Sequence, residues 1–526
     1  MSKKTVNLDA LIPRADLDRE MTQSAVDQGD IPVGDLAWNR LHQRLLRKPD
    51  FQRETDDWDI ENVVAFIKSV TEGHLIPALI MWQGAKSFRF VIDGAHRLSV
   101  LLAWVNDDYG DGDVSRKFFG GKIPQKQDLI GKACREQVRV QVGTYAELSN
   151  IDSATAPPER AGIPANLARL LKTQWVTGNS DVAQASFFAI NQRSVAINET
   201  EQYLIKARKK ANVIAARAIL RSATGHVYWS AFGEKRAEIE AKAKAIYDVL
   251  FQPDSFAKGQ QYLPIAGEAQ SANALRIVTD LIAVTSGRSD KEWADVDDDA
   301  DGIGTSRVLE KTLAIVKRIG GDNPASLGLH PYVYFWGASG NHSPSAFLAV
   351  VRFVQWMAQE EDRFVTFTNY RARFEEILSR NSDALKHISR SQGGWTKSVS
   401  KIMALYQDVL ARLERGESNP DIDAYLASTV PQTQRITTEP ESSISISRGT
   451  KAALRRRLVI ESSARCWVCH ARMTVDDASR EHVVKAEHGG LGNEDNIEHS
   501  HRYCNSGFRP YCEHRGLPLP ANPFPA

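Results

Sequence analysis

The chain has 526 residues, with 66 Lys+Arg against 65 Asp+Glu and a formal net charge of +1. This length suits about three domains, and 42% hydrophobic residues supply sizeable cores. The balanced charge excludes a uniformly basic or acidic chain, so any affinity for nucleic acid has to come from local positive charge.

The opening residues, MSKKTVNLDALIPRADLDRE, lack an apolar run of signal-peptide length. Residues 1–30 are polar and read as a flexible or loosely docked arm. The most apolar stretch, 345–358, is short and is interrupted by Arg352, which predicts no membrane span and a cytoplasmic protein.

An α/β unit is expected over 31–150. Ile60, Val63, Val64, Ile67 and Val70 have helical spacing. IPALIMW and SFRFVID read as strands, HRLSVLLAWV as a helix and EQVRVQVGTY as a further strand. Asp93-Gly94 ends a strand, and Ala95-His96-Arg97 opens the following helix. Backbone N–H groups at such a turn can hold a phosphate. A helix start whose Arg97 pairs with Asp93 is the plainer alternative.

Upstream of this turn stand Gln52-Arg53, Trp58, the amphipathic helix and Ile76-Pro77; downstream stands SFFAINQRSVAINETE. The run resembles the ParB/sulfiredoxin-like superfamily, and within it the DGQHR-type domains of bacterial DNA-modification and restriction systems. LHPYVYFWGASGNHSPSAFLAVVRFV is similar to their later helical region. The resemblance implies a nucleoside triphosphate (GTP, ATP or CTP) or phosphate site. Asp93, Gly94, His96 and Arg97 would form the phosphate turn, with Gln52 and Arg53 approaching from the preceding loop. Ala95 stands where Gln is usual, which puts hydrolysis in question more than binding.

Residues 150–165 hold three prolines and a glycine and read as a connection; a mostly helical region follows over 165–414. Asn198 is an expected N-cap with Glu201 three positions on. Asn191, Gln192 and Arg193 either face the same cleft or touch DNA, or form an ordinary polar loop. Lys206, Arg208, Lys209 and Lys210 are read as one helix's basic stretch, either solvated or a DNA track. DVDDDADGIGTS begins like a calcium loop, but Val308 occupies the position of the bidentate Glu, so a solvated acidic loop is expected. HPYVYFWG is explained better by core packing than by base stacking. Residues 415–447 are polar, with prolines and serines, and read as a linker.

The final segment, 448–526, opens with a basic helix carrying Lys451, Arg455, Arg456 and Arg457, either a solvated face or a phosphate contact. Four of the five cysteines follow: Cys466, Cys469, Cys504 and Cys512. Cys466-x2-Cys469 and His501-x2-Cys504 are two knuckles that supply four ligands for a structural zinc ion. Cys512 and His514 are a weaker candidate pair. His470, His488 and His499 read as ordinary polar residues.

Between the knuckles lie Glu481-His482, Gly489-Gly490 and Asn496, and Asn505 follows the last ligand. This segment resembles an HNH endonuclease of the ββα-metal type. The resemblance implies that His482 is the general base, that Glu481 and Asn505 hold a catalytic divalent ion, Mg²⁺ or Mn²⁺, and that Asn496 braces the base and its loop. An imidazole can take a proton near neutral pH, and a hard cation can stabilise the leaving oxygen of a phosphodiester. Glu481 stands where Asp is commoner, and Ser506-Gly507-Phe508 replaces the usual Lys-Gly. A zinc ribbon that only binds nucleic acid or protein accounts for the cysteines but not for Glu481-His482 and Asn496.

The expected architecture is a multidomain α+β protein: a ParB-like α/β domain, a helical middle and a zinc-stapled ββα-metal HNH domain. The expected function is a metal-dependent DNA endonuclease of a bacterial defence or restriction system. Its N-terminal domain would sense DNA modification or bind nucleotide to gate cleavage, with nucleoside triphosphatase activity an open question. Expected partners are DNA, modified or not, and a nucleoside triphosphate; a homo-oligomer is an open possibility. The alternative is a nucleotide-switched DNA-binding regulator with a degenerate nuclease end.

Overall fold

A computed structural model describes the chain apart from residues 1–4, 16, 18–28, 50, 51, 53, 54, 56, 57, 85, 86, 192–202, 205, 222–228, 230, 231, 253–262, 270–272, 338, 339, 383–386, 389–394, 429–447, 525 and 526. The side chains of 191, 290, 395, 396, 448 and 449 are also left undescribed. Arg53, Gln192, Arg193, Asn198 and Glu201 therefore lie outside the described residues. The fold is mixed α+β and mostly helical, in two compact units: Met1–Arg208 with Thr224–Ala231, and Lys209–Ala223 with Phe232–Ala526.

The first unit is built on a five-stranded mixed sheet. Its strands are β1 (Arg14–Ala15), β3 (Leu46–Pro49), β4 (Leu79–Gln83), β5 (Arg89–Asp93) and β7 (Thr173–Trp175), in the order β1-β3-β5-β4-β7. Two more strands, β2 (Ile31–Pro32) and β6 (Leu170–Leu171), pair separately. Only β4 and β5 run antiparallel within the large sheet. Strand alternation sends Leu79, Met81 and Val91 to one face, where helices α1 (Ile60–Thr71) and α2 (Ala95–Asn106) cover them. Trp82, Phe90 and Ile92 face the other way and meet Ala183 and Phe187 of helix α4 (Ser180–Asn191). Asp59 caps α1, its side chain accepting from Asn62 N at 2.9 Å.

Three sequence expectations change here. EQVRVQVGTY is not a strand: residues 125–141 form helix α3 (Gln125–Gln141). Val138, Val140 and Val142 alternate, but Ile130, Cys134 and Val138, four apart, are the buried set, and Val140 is exposed. The arm is not loose where it is described. Val6 N donates to Trp58 O and Leu8 N to Thr55 O, while Leu8, Leu11 and Ile12 are buried. Nor do the four basic residues share a helix: the chain turns at 207–210, and Lys210 pairs with Asp298.

The second unit packs helices α5 (Ala211–Leu220), α6 (Lys235–Phe251), α7 (Ala274–Ser286), α8 (Ile303–Ile319), α9 (Pro344–Met357), α10 (Glu361–Arg380) and α11 (Trp395–Glu414). Phe353, Phe367, Phe374 and Tyr406 form a buried aromatic centre with edge and stacked contacts at 5.5–6.0 Å. The acidic loop is solvated, and its Asp299 caps α8 by accepting from the N–H groups of Gly302, Gly304 and Thr305. HPYVYFWG is indeed core: Pro331–Tyr334 is a short buried helix. Part of the expected linker is helical, since Ile422 and Leu426 of α12 (Asn419–Ser428) are buried.

The chain then forms α13 (Arg448–Ser462), the hairpin β8 (Ala478–His482) and β9 (Ile497–His501), and α14 (Arg509–Arg515). Of the three consecutive arginines, Arg456 is buried and donates to Tyr332 O at 3.1 Å, while Arg457 lies beside Glu461. Among the described residues, no helix is long and apolar enough to cross a membrane.

Two histidines of this unit, the buried His330 and the half-buried His342, contribute to its acid response. Burial lowers both His330 and His342 to about 4, from an ordinary 6.5. Their depressed values favour the fold fully above about pH 6.5 and lose that contribution as pH falls towards about 4, on the order of 3 kcal/mol each. Thermal melts should fall steadily between pH 6.5 and 4.5, and His342→Phe should remove about half of the slope. A melting temperature flat across that interval would contradict the assignment.

Candidate functional site

Cys466, Cys469, His501 and Cys504 are buried, and their ligand atoms all lie within 4.8 Å of one another. Sequence spacing made the two pairs; contacts between the first turn and β9 bring them together, Trp467 N donating to His499 O at 2.9 Å and His501 N to Cys466 Sγ at 3.4 Å. His501 Nε2 lies 3.0 Å from Arg472 O. A carbonyl only accepts, so Nε2 carries the proton and the Nδ1 lone pair faces Cys469 Sγ at 3.4 Å and Cys504 Sγ at 3.9 Å. Burial pushes the Cys469 and Cys504 thiols well above their ordinary range. A cation among them is what would favour thiolates there. Three sulfurs and an imidazole nitrogen, closed off from solvent, could hold a metal ion, and the set fits tetrahedral zinc. Cys512 is buried but is not among the four, and His514 is exposed.

On β8, alternation separates the two residues expected at the chemistry. His482 is half-buried, paired in register with Ile497, and Gly492 lies over it with no side chain to cover the imidazole nitrogen. Glu481 is buried, and its Oε1 meets Arg509 Nη1 of α14 at 2.5 Å. Arg509 also donates to the carbonyls of His482 and Val483, and to Glu513 at 2.8 Å. Burial pushes the Glu481 carboxyl up against the pull of Arg509, and Oε2 is buried without a hydrogen-bond partner. Asn505 donates to Arg480 O at 2.9 Å and to Ser479 Oγ at 3.4 Å, which leaves its oxygen as the atom available to a cation. Asn496 accepts from Val484 N at 2.7 Å and donates to Val484 O and Leu491 O, closing the loop between the strands. Arg509 had no signal in the sequence: it is one arginine among many until α14 folds back on β8.

In the first unit, Gln52, Trp58, Asp93, Gly94, Ala95, His96, Arg97 and Phe187 line one pocket. Gly94 has φ +95°, and a Cβ there would come within 2.5 Å of Leu79 Cδ2, so only glycine makes this turn. The pocket is therefore capped by the N-terminus of α2, with Trp58 stacked on His96 at 6.2 Å. Arg97 is held by Asp93 at 2.8 Å and by Pro77 O. The described lining residues enclose about 130 Å³, which is room for a phosphate group.

Behind the pocket, Asp9 Oδ1 accepts from Lys48 at 2.5 Å and Arg14 at 2.7 Å, all three buried. Arg14 also donates to the carbonyls of Pro49 and Gln52, so the docked N-terminal segment fixes the loop that presents Gln52. This contribution was hidden in a segment read as an arm.

No curated protein and no solved structure matches the chain. Residues 34–208, a third of its length and all within the first unit, match the model of the GmrSD restriction endonuclease, N-terminal domain, and this similarity supports a restriction-type enzyme.

Proposed function

We propose that the chain is a metal-dependent DNA endonuclease of a restriction system, cutting with its C-terminal ββα segment and gated by its N-terminal unit. The observation that carries this reading is the order β8–β9–α14: Glu481-His482 ends the first strand and Asn505 follows the second, beside the four-ligand cluster. His482 would take a proton from water at the scissile phosphate. Glu481, through the oxygen that Arg509 leaves unbonded, and Asn505 would hold Mg²⁺ or Mn²⁺. That ion would supply positive charge to the phosphate as it breaks. Asn496 would keep the loop closed around the imidazole. Zinc at the Cys/His cluster would hold the scaffold and take no part in the reaction.

The pocket at Gly94 supports a phosphate-sized ligand for the ParB-like unit, either the phosphates of GTP, ATP or CTP or a DNA backbone group. The similarity of residues 34–208 to a restriction endonuclease domain supports DNA, modified or foreign, as the substrate. The decisive assay incubates the full chain with phage DNAs carrying different modifications, with Mg²⁺ or Mn²⁺ and with or without each nucleotide. Cleavage that requires the divalent ion and depends on modification or nucleotide is expected. Binding of the same DNAs without any cut would instead favour a DNA-binding regulator with a degenerate nuclease end. The ion pair between Arg509 and Glu481, which already neutralises the expected acid, is the observation on that side.

A further inference from the structure

The four metal ligands all come from the C-terminal segment, but the turn that orients two of them is tied to α10. Arg472 O accepts from the His501 imidazole. One peptide earlier, Ala471 O accepts from Cys466 N at 2.9 Å, and the N–H of that same peptide, on Arg472, donates to Glu375 Oε2 at 3.0 Å. Glu375 is fully buried on α10, and so is Arg371, one turn before it, at 2.7 Å. Tyr334 donates to the same carboxylate at 3.2 Å. Arg371 reaches on to Leu327 O at 2.5 Å and Gly328 O at 2.9 Å. Gly328 has φ +56°, and a Cβ there would stand 3.1 Å from the His501 ring, while Tyr503, beside Cys504, donates to Ser326 O at 3.0 Å.

A buried ion pair is poor as a stabiliser, because stripping water from two charges offsets most of their attraction, and apolar residues fill the same space as well. Burial works against the Glu375 carboxylate, and Arg371 holds it below the usual range. What a carboxylate does here that an apolar side chain cannot is accept the Arg472 N–H. It thereby polarises the peptide that orients Cys466 and fixes the residue whose carbonyl orients His501. Outer partners of this kind set ring orientation and ligand basicity, and their loss costs about 10–100-fold in metal affinity.

We propose that Glu375, braced by Arg371 and Tyr334, is a positioning residue of the metal centre, so that the helical region supplies the outer shell of a site whose ligands lie a hundred residues later. The proposal rests on the four-ligand cluster holding a metal. Its consequence is that the C-terminal segment binds metal at full strength only when docked on α10.

The test uses the full chain loaded with Co²⁺, whose thiolate charge-transfer and d–d bands report ligand geometry, and Zn²⁺ affinity measured by competition with a chromophoric chelator. Glu375→Ala should weaken affinity about 10–100-fold and shift the Co²⁺ bands. Glu375→Gln keeps the size and an acceptor but loses the charge; it should fall between wild type and Ala, and it carries the comparison if the alanine variant does not fold. Phe374→Leu, in the aromatic centre beside this pair, should lower the melting temperature without moving affinity or spectrum. If the Glu375 variants bind within twofold of wild type with unchanged bands, or if Phe374→Leu weakens binding equally, the positioning role is overturned. A wild-type chain that takes up no metal would overturn the metal reading itself, which is a different result.

Discussion

His482→Ala should slow DNA cleavage by about 10²–10⁴-fold while metal content and melting temperature stay at wild-type values. That range is what a positioned general base contributes. The fold has little to lose: His482 is half-buried at the end of β8, and the bond that Arg509 makes there goes to its backbone carbonyl, which alanine keeps. Asn496 still closes the loop through main-chain groups of Val484 and Leu491. Glu481→Gln is the companion variant. It keeps a partner for Arg509 and removes the charge proposed for the divalent ion, so its deficit should shrink as Mn²⁺ is raised, whereas that of His482→Ala should not. Alanine is the wrong choice at Glu481, because the buried Arg509 would keep Glu513 but lose the carboxylate that faces its Nη1, which mixes a packing loss with the loss of charge. A His482→Ala chain that cuts as fast as wild type would place the base elsewhere.

Cys469→Ser should abolish metal uptake and open the C-terminal segment. Zinc bound to small structural sites is worth about 10–16 kcal/mol, which matches or exceeds the net stability of most domains. Apart from the ligands, the segment is held by Arg509 on Glu481, His482 and Val483 and by the bonds of Arg472 and Tyr503 to the helical region. β8 and β9 are five residues each, and the residues buried around them include the ligands themselves, Val468, Ala471, Met473, Phe508 and Cys512. Loss of the ion should expose the stretch from Cys466 to Phe508 to protease while α5 to α9 remain resistant. The contact with α10 should also loosen, because Arg472 and Tyr503 dock through the same turn. One equivalent of zinc retained at unchanged affinity in Cys469→Ser, with an unchanged protease pattern, would show that this thiol is not a ligand.

Much of the candidate site was legible because its signals are local. Cys466 with Cys469, and His501 with Cys504, are each three residues apart, and that spacing alone puts two donors on one turn. Gly94 between a strand and a helix start was readable for the same reason, since a chain that reverses so sharply needs a left-handed residue. Strands β4 and β5 and helices α1 and α2 followed from side-chain periodicity. Periodicity also misled: Val138, Val140 and Val142 alternate like a strand, and only packing against Tyr109 and the α1–α2 layer decided for the helix that buries Cys134.

The sequence by itself determined which residue types could bind a soft metal, accept a proton and cradle a phosphate, because those capacities belong to the side chains and to their spacing over a few positions. Tertiary structure alone decided that Asp9 would gather Lys48 and Arg14 behind the pocket, that Arg509 would claim Glu481, and that Glu375 would reach the metal turn. Each of these joins groups from 5 to 97 residues apart, and most join separate elements. A charge buried by folding takes whichever partner the packing delivers, and no local pattern in the chain encodes that choice.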